Sequence, residues 1–410
     1  MNFKRLIKLR LLFLFTIALI TLGGINISSE AKNFNDSFQA RQKPIQLGWQ
    51  KKINGGSITI LEVDNSGFVY AAGDTSSKIF GGINNNSAAN IFITKYNPEG
   101  TQLWTRLVDD GNDLFAIDRR SFIEDLKIDS NANVYAVGYT INHKGDIGDF
   151  LIKYDSDGNQ KWVNYNLGIG NDLKLVIGDD GSLYISGKQY DAYSNSSSFF
   201  IAKYGLDGTL ILSKALGKEW SDLNVSVTRL QNLSSANNNL YAGYAGSGGA
   251  YLAIARYETD SLINISAKKI ELPSERNNMP NMAINNQDIY VLAEGYSASS
   301  GSSVIYILKL DKDGVQKWYA IDDLGPNNLI SSVFTDDSLF TFSSKGNRSR
   351  TQYFINNYSL VDGSISWRRV LPMVGKQSRM GITTYDPVYK RIYTGSGNHG
   401  GVNQITQIKF

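Results

Sequence analysis

The stretch KYDSDGNQKW, from Lys153 to Trp162, contains a basic residue, an aromatic residue, an Asp-Gly pair and a tryptophan in that order. Fifty-eight residues earlier, KYNPEGTQLW repeats the pattern from Lys95 to Trp104. An Asp-Gly pair supplies the positive φ angle that a tight hairpin needs. The stretch therefore predicts the end of one strand, a turn and the beginning of the next, and its recurrence indicates a repeat protein.

Two strand-like segments recur along the chain, and each occurs seven times. One ends in a basic-aromatic pair or its equivalent, and its last residues are Tyr96, Tyr154, Tyr204, Tyr257, Leu310, Tyr358 and Phe410. The other lies upstream of it and reads FVYAAG, NVYAVG, SLYISG, NLYAGY, DIYVLA, SLFTFS and RIYTGS. Each unit of about fifty residues has room for four strands, which is the size of one β-propeller blade.

The ends of the chain indicate how such a ring would close. After the turn, the outer-strand position holds Trp104, Trp162, Leu212, Ile265, Trp318 and Trp367. A seventh residue of this kind, Trp49, has no basic-aromatic strand before it, and Phe410 ends such a strand with no outer strand after it. We therefore predict an all-β fold: a seven-bladed β-propeller of four-stranded antiparallel blades over residues 45–410. The N-terminal strand around Trp49 is expected to complete the last blade.

The residues that recur in every unit are predicted to serve the scaffold, because neighbouring blades must stack in the same way around the ring. Five tryptophans are expected to fill the wedges between blades: Trp49, Trp104, Trp162, Trp318 and Trp367. The basic residue before each aromatic is expected to lay its methylene groups on apolar surface while its charged end reaches water.

The N-terminal segment differs in composition from the repeat region. Four basic residues within the first ten precede the apolar run LLFLFTIALITLGG, and a polar stretch follows. This pattern predicts a signal peptide over residues 1–31, or an uncleaved membrane anchor, followed by a linker over residues 32–44. The protein is thus predicted to be exported, either periplasmic or secreted. The chain has no cysteine, which excludes disulfide bonds and thiolate metal sites.

With these motifs, the chain resembles the bacterial seven-bladed propeller repeats called SBBP repeats, whose units read GNVYVTG and then F-x-x-KY-x-x-DG-x-x-x-W. Asn133–Gly138 and Phe150–Trp162 match that pattern most closely. The resemblance covers Ile45 to Phe410 and weakens in blades four, six and seven. The turn in NYSLVDGSISW, Asn357–Trp367, is also distantly similar to quinoprotein-like propellers. The resemblance implies a secreted or surface protein, and it carries over no catalytic residue.

Function on a propeller resides in loops attached to the scaffold. We expect it on the upper face, where loops join the second strand to the third and each blade to the next. Arg119 and Arg120 could meet an anionic ligand there, and Tyr190 lies in a predicted loop, Lys188–Ser198. The candidate ligand-binding residues are Arg119, Arg120, His143, Tyr190, Arg348 and His399. No catalytic residue and no cofactor is predicted. A metal site is not expected either, since blade one separates the blades of the two histidines.

These observations favour an exported, non-enzymatic binding propeller whose partner is an unknown protein or polysaccharide at the cell envelope or outside the cell. The alternative is a carbohydrate-active enzyme, a glycosidase or lyase, that uses two acidic residues on the upper face. A scaffold of an envelope assembly would instead show a large exposed apolar patch on one rim. The net charge of +3 lies partly in the N-terminal segment and gives no case for nucleic acid. Membrane contact is expected only if that segment is uncleaved.

Overall fold

The chain divides into two units, residues 1–44 and residues 45–410. The computed structural model describes only residues of the second unit: 45–53, 56–75, 90–108, 120–141, 147–165, 167–168, 170–191, 196–246, 251–272, 278–285, 288–297, 302–322, 328–345, 352–371, 380–396 and 403–410. The predicted signal peptide and linker lie outside these residues and stay predictions. None of the described residues forms a helix with the length and apolarity of a membrane span.

The described residues form seven four-stranded antiparallel sheets, and each sheet is one blade. Blade 1 consists of β2 (Gly56–Val63), β3 (Val69–Thr75), β4 (Asn90–Tyr96) and β5 (Gln102–Val108). Blade 2 consists of β6 (Arg120–Ile128), β7 (Val134–Ile141), β8 (Ile147–Tyr154) and β9 (Gln160–Tyr165). Blade 3 consists of β10 (Asn171–Ile177), β11 (Leu183–Asp191), β12 (Ser196–Tyr204) and β13 (Leu210–Leu216).

The other four blades repeat this order. Blade 4 consists of β14 (Val227–Ala236), β15 (Asn239–Gly246), β16 (Tyr251–Glu258) and β17 (Asn264–Glu271). Blade 5 consists of β18 (Asn278–Asn285), β19 (Asp288–Ser297), β20 (Ser302–Leu310) and β21 (Gln316–Asp322). Blade 6 consists of β22 (Asn328–Phe334), β23 (Ser338–Lys345), β24 (Gln352–Ser359) and β25 (Ile365–Val370). Blade 7 consists of β26 (Met380–Asp386), β27 (Arg391–Ser396), β28 (Asn403–Lys409) and β1 (Gln46–Ile53). A short helix, α1 (Lys218–Asp222), precedes blade 4.

The first strand of the chain closes the ring, which confirms the predicted fold. β1 pairs antiparallel with β28, with Gln50 opposite Thr406 and Ile53 opposite Asn403. The indole Nε1 of Trp49 then donates a hydrogen bond of 3.0 Å to the carbonyl of Pro98 in blade 1. The N-terminal strand therefore completes blade 7 and ties it to blade 1.

The first strand of each blade lies innermost. β2 contacts β6, β6 contacts β10, β10 contacts β14 and β14 contacts β18, while β22 contacts β26 and β26 contacts β2. A hydrogen bond of 2.8 Å from Asn281 Nδ2 to Ser332 Oγ joins β18 to β22. The inner strands therefore surround the axis of the propeller, and the fourth strands lie at its circumference.

The two faces of the ring differ in the length of their connections. Five residues separate the third strand from the fourth in each of blades 1 to 6, and at most five separate the first from the second. We call this the lower face. The opposite connections, on the upper face, range from two residues to the fourteen between Thr75 and Asn90. Variation in the length of the connections is therefore concentrated on the upper face.

Repeated hydrogen bonds on the lower face join blade 1 to blade 2 and blade 2 to blade 3. Lys95 Nζ and Trp104 Nε1 of blade 1 both donate to the carbonyl of Ser156 in blade 2, each at 3.1 Å. Lys153 and Trp162 donate in the same way to the carbonyl of Leu206 in blade 3. We call such a Lys-Trp pair with its shared acceptor a blade clasp.

The blade clasp corrects one expectation about the basic residues. Only 6% of Lys95 is exposed, so its charged end does not reach water as predicted. The ammonium group instead donates to the turn carbonyl and lies 5.0 Å from the centre of the Tyr70 ring. Lys203 is similarly buried and pairs with Asp180 at 2.8 Å. The aromatic ring and the acceptors replace the water that such a charge would otherwise need.

The glycine of each of these turns lies against the tryptophan ring of the preceding blade. Gly158 has a φ of 78°, and a Cβ atom at this position would lie 2.8 Å from Cδ2 of Trp104. The residue must therefore be glycine for its backbone conformation and also because the indole of the preceding blade packs directly on it. Gly100 and Gly208 receive the rings of Trp49 and Trp162 in the same way.

One residue assignment from the sequence is wrong. In blade 4, Ser266 and not Ile265 lies opposite Arg256, at the position that Trp104 occupies opposite Lys95 in blade 1. Six residues lie between the paired residues Tyr257 and Asn264 of blade 4, one more than between the paired residues Tyr96 and Gln102 of blade 1. Leu262 rather than a glycine supplies the positive φ, at 53°. The extra residue shifts the outer strand by one position.

Candidate functional site

Every inner strand carries an irregularity that redirects a side chain. In all seven blades the register between the first and second strands shifts at a bulge or similar break. In blade 2 the shift falls between Ile123 and Asp125, so Glu124 has no partner residue in the ladder. In blade 3 it falls between Asn171 and Lys174, and Asp172 there has a φ of 55°. Bulges often re-aim side chains at functional sites.

Five polar side chains influence one another across blades 2, 3 and 4 in the upper half of the axis. We call them the axial cluster: Glu124, Tyr139, Asp172, Lys174 and Arg229. Arg229 Nε lies 3.5 Å from Asp172 Oδ1. The ring of Tyr139 stacks on that of Phe122 with 5.0 Å between ring centres. The cluster thus combines two acids, two bases and a tyrosine whose ring stacks on Phe122.

The electrostatics of the axial cluster centre on Glu124. Burial raises the pKa of its carboxyl group above the ordinary value of 4.5, and Asp172 and Asp125 act in the same direction. The charges of Lys174 and Arg229 oppose that shift. Burial and the nearby charges of Glu124 and Asp172 also raise the pKa of Tyr139. The protonated form of Glu124 is therefore favoured relative to that of an exposed glutamate.

A second group of charges lies below the axial cluster and connects the blades. Lys127 pairs with Glu62 of blade 1 and lies 3.1 Å from Asp125 Oδ1. Burial works against the charge of Lys127, but Asp125 and Glu62 outweigh it and raise its pKa. Asp125 Oδ2 also accepts a hydrogen bond of 3.0 Å from the backbone N–H of Leu175 in blade 3. These charged groups form ion pairs and hydrogen bonds with one another and with the backbone of the next blade, so their role is structural.

The charges around the axis lie on one side of the ring. The inner strands of blades 1 to 4 carry Glu62, Arg120, Glu124, Asp125, Lys127, Asp172, Lys174 and Arg229. Those of blades 5 to 7 carry one charged residue, Asp386, and use amides instead, such as Asn281 to Ser332. Scaffold residues recur in every blade, whereas the axial cluster occurs once.

Four of the six predicted ligand-binding residues fall outside the described residues: Arg119, His143, Arg348 and His399. The other two are strand residues. Arg120 begins β6 and pairs with Ile141, and Tyr190 pairs with Ser197 near the end of β11. The predicted loop Lys188–Ser198 is therefore too long, because the ladder continues to a pair between Asp191 and Ser196. Both residues lie at the upper ends of their strands.

Sequence reasoning missed most of the axial cluster. The available signal was the composition of the inner strands: RSFIEDLKI in β6 contains four charged residues, whereas VYAVGYTI in β7 contains none. Several charged residues close together in the first strand of a blade, which lies innermost, indicate side chains near the axis.

No group of three or more metal-binding side chains occurs among the residues that the structure describes. The turn aspartate of the opening motif, Asp155, has other partners. Its carboxylate accepts hydrogen bonds from the backbone N–H groups of Asp157 and Asn159 and from the Asn159 amide. The motif is thus an aspartate-stabilised turn.

Comparison with known proteins supports the fold and gives no family. No protein-family model matches the chain, and no curated protein matches it. Among solved structures, the β-propeller domain of the Trilobed protease from Pyrococcus furiosus aligns with a TM-score of 0.52 and 9% identity, over 88% of this chain and 96% of that one. Polysaccharide lyase Uly1 aligns with a TM-score of 0.51 and 11% identity, over 86% and 89% of the two chains. A prolyl endopeptidase aligns with a TM-score of 0.51 and 12% identity, over 87% of this chain and 50% of that one.

At these identities the likeness shows the propeller fold alone. The Trilobed protease domain is described as having an open velcro topology. Here β1 hydrogen-bonds to β28 and closes the ring.

Proposed function

We propose that the protein is an exported, non-enzymatic binding propeller that takes a carbohydrate chain at the upper end of its axis. The observation that carries this proposal is the axial cluster, which breaks the sevenfold repeat on one side of the ring. Lys174 and Arg229 can donate hydrogen bonds to sugar oxygens, and Asp172 and Glu124 can accept them from hydroxyl groups. The Phe122–Tyr139 stack offers an aromatic surface for a sugar ring.

The location of the cluster supports this assignment. The connections between strands on the upper face vary in length, while those of the lower face vary little. Variable connections on a rigid scaffold suit recognition. The predicted signal peptide supports a location outside the cytoplasm, and the repeat motifs support a relationship to the SBBP-type propellers.

Calorimetric titration with neutral and uronic-acid-containing polysaccharides tests the proposal. One of them should bind the wild-type protein. Arg229→Gln should weaken binding about 10- to 100-fold, because a hydrogen bond to a charged group is lost. The matched control is Lys269→Gln, at the exposed circumference of blade 4, which should leave affinity unchanged. Equal affinities for wild type and Arg229→Gln would contradict the proposal, as would failure of every polysaccharide to bind.

A carbohydrate-active enzyme is the second candidate function. The observation that favours it is the raised pKa of Glu124 beside Tyr139, since a buried carboxyl group of this kind can serve as a general acid. Incubation with the bound polysaccharide distinguishes the two functions. Release of reducing ends or unsaturated products by the wild type, abolished in Glu124→Gln, would assign catalysis. Intact polysaccharide would assign binding.

A further inference from the structure

A polar residue just after the inner-strand bulge joins one blade to the next in blades 2, 4 and 5. The carboxylate of Asp125 in blade 2 accepts a hydrogen bond of 3.0 Å from a backbone N–H group of blade 3. Asn232 Nδ2 in blade 4 donates to a carbonyl of blade 5 at 2.6 Å, and Asn281 Nδ2 in blade 5 donates to a hydroxyl of blade 6 at 2.8 Å. In these blades the position serves the scaffold.

Lys174 occupies the same position in blade 3 and makes no such bond. It is the first paired residue after the break in β10 and lies opposite Ser186, as Asp125 lies opposite Val137 after the break in β6. Lys174 is half-buried, and its ammonium group forms neither a hydrogen bond nor an ion pair with another residue that the structure describes. A cation with unused donors therefore lies at the inner seam between blades 3 and 4.

Arg229 provides a second cation on the blade 4 side of this seam. Its Nε atom lies 3.5 Å from Asp172 Oδ1, and half of its side chain is exposed. The guanidinium group forms no hydrogen bond within the described part of the chain, so its Nη groups are accessible to a ligand. The charges of Arg229 and Lys174 both act on the carboxyl group of Glu124, which places the two cations in one neighbourhood. Guanidinium and ammonium groups are the side chains that bind carboxylate and sulfate groups best.

The acids of the axial cluster leave these donors available. Asp172 faces Arg229, and no acid pairs with Lys174 among the described residues. Burial raises the pKa of Glu124, with Asp172 and Asp125 acting in the same direction, which favours the neutral form of its carboxyl group. An anion beside the two cations would therefore meet less repulsion from Glu124 than from an exposed glutamate.

We propose that the ligand of the axial cluster is an acidic polysaccharide, whose carboxylate or sulfate groups are bound by Lys174 and Arg229 at the seam between blades 3 and 4. This inference rests on the proposed carbohydrate-binding function and specifies the charge of the ligand. The bound anion supplies a contact between blades at the position where Asn232 and Asn281 make one within the protein. The Phe122–Tyr139 stack offers a surface for the sugar ring that carries the acid.

Matched pairs of polysaccharides test the charge preference by calorimetric titration of the full chain. Polygalacturonate, alginate and hyaluronate are each compared with their carboxyl-reduced forms, and dextran sulfate is compared with dextran. At least one acidic member should bind at least about tenfold more tightly than its neutral partner, and the pair that responds identifies the anionic group. Equal or tighter binding of the neutral members overturns this inference and leaves carbohydrate binding standing. Failure of every polysaccharide to bind overturns the proposed function as well.

Three variants locate the bound acid. Lys174→Gln should keep the wild-type melting temperature, because its ammonium group has no bond to lose, and should weaken binding of the preferred acidic polysaccharide about tenfold or more. Lys174→Arg preserves the charge and should retain most of the affinity. Asn281→Ala, the control at the equivalent position of blade 5, should lower the melting temperature and leave the affinity unchanged. The inference is wrong if Lys174→Gln binds as the wild type does, or if Lys174→Arg loses as much affinity as Lys174→Gln.

Discussion

Replacement of Gly158 by alanine should be far more destabilising than replacement of Gly181, although both glycines have nearly the same conformation. Their φ angles are 78° and 74°, and each donates its N–H to the first residue of its turn at 2.9 Å. A Cβ atom at Gly181 would meet no atom within 4 Å. A Cβ atom at Gly158 would lie 2.8 Å from Trp104 Cδ2 and 3.2 Å from Arg106 Nε.

The magnitudes follow from these distances. Left-handed backbone strain should lower the free energy of unfolding by about 1–2 kcal/mol in either variant. In Gly158→Ala the ring of Trp104 must also move, which adds about 1–3 kcal/mol of overpacking. The reduced entropy of the unfolded chain is the same in both variants and cancels in the comparison.

Urea unfolding of wild type, Gly158→Ala and Gly181→Ala measures the difference. We expect the midpoint of Gly158→Ala to fall well below that of Gly181→Ala, with unchanged slopes. The double variant Gly158→Ala/Trp104→Ala should lose less stability than the sum of the two single changes, because the clash is gone. Equal midpoints for the two glycine variants, or strict additivity in the double variant, would refute the packing argument.

Three further predictions concern the clasps and the axial cluster. Trp104→Phe should lower the free energy of unfolding by about 1–3 kcal/mol more than Trp318→Phe in urea titrations, because Trp104 Nε1 donates a hydrogen bond while Trp318 Nε1 is buried without a partner among the described residues. Asp180→Asn should lower the melting temperature more than Lys203→Met does, because it leaves the buried ammonium group of Lys203 without its carboxylate partner. Equal decreases in melting temperature would contradict this. The pKa of Glu124 is higher in the folded state than the ordinary value of 4.5, so between these two pKa values the folded state binds more protons than the unfolded state. The free energy of unfolding of the wild type should therefore rise as the pH falls through this range. Urea titrations of Glu124→Gln should show a smaller rise.

The sequence predicted the features that depend on local chemistry and regular spacing. Turn glycines such as Gly158 must have a positive φ, and their period of about fifty residues counts the blades. The unmatched strand around Trp49 predicted the closure with β28. These inferences require only that each unit resemble the next.

Features that depend on contacts between blades were not predicted. The acceptor of Lys95 is a carbonyl sixty-one residues away, so the burial of its ammonium group has no local signal. Ser266 was misplaced because the turn of blade 4 gained a residue and lost its glycine. The axial cluster brings together Glu124, Asp172 and Arg229 from three blades, and only the curvature of the ring places them side by side.

We expect the recurrent residues to hold the ring together and the residues that break the repeat at the axis to bind the ligand. Calorimetric titration of Lys95→Met and Arg229→Gln against one polysaccharide that the wild type binds tests it directly. We expect a lower melting temperature but wild-type affinity for Lys95→Met. For Arg229→Gln we expect a wild-type melting temperature but about 10- to 100-fold weaker binding. Weakened binding in Lys95→Met with undiminished binding in Arg229→Gln would contradict it.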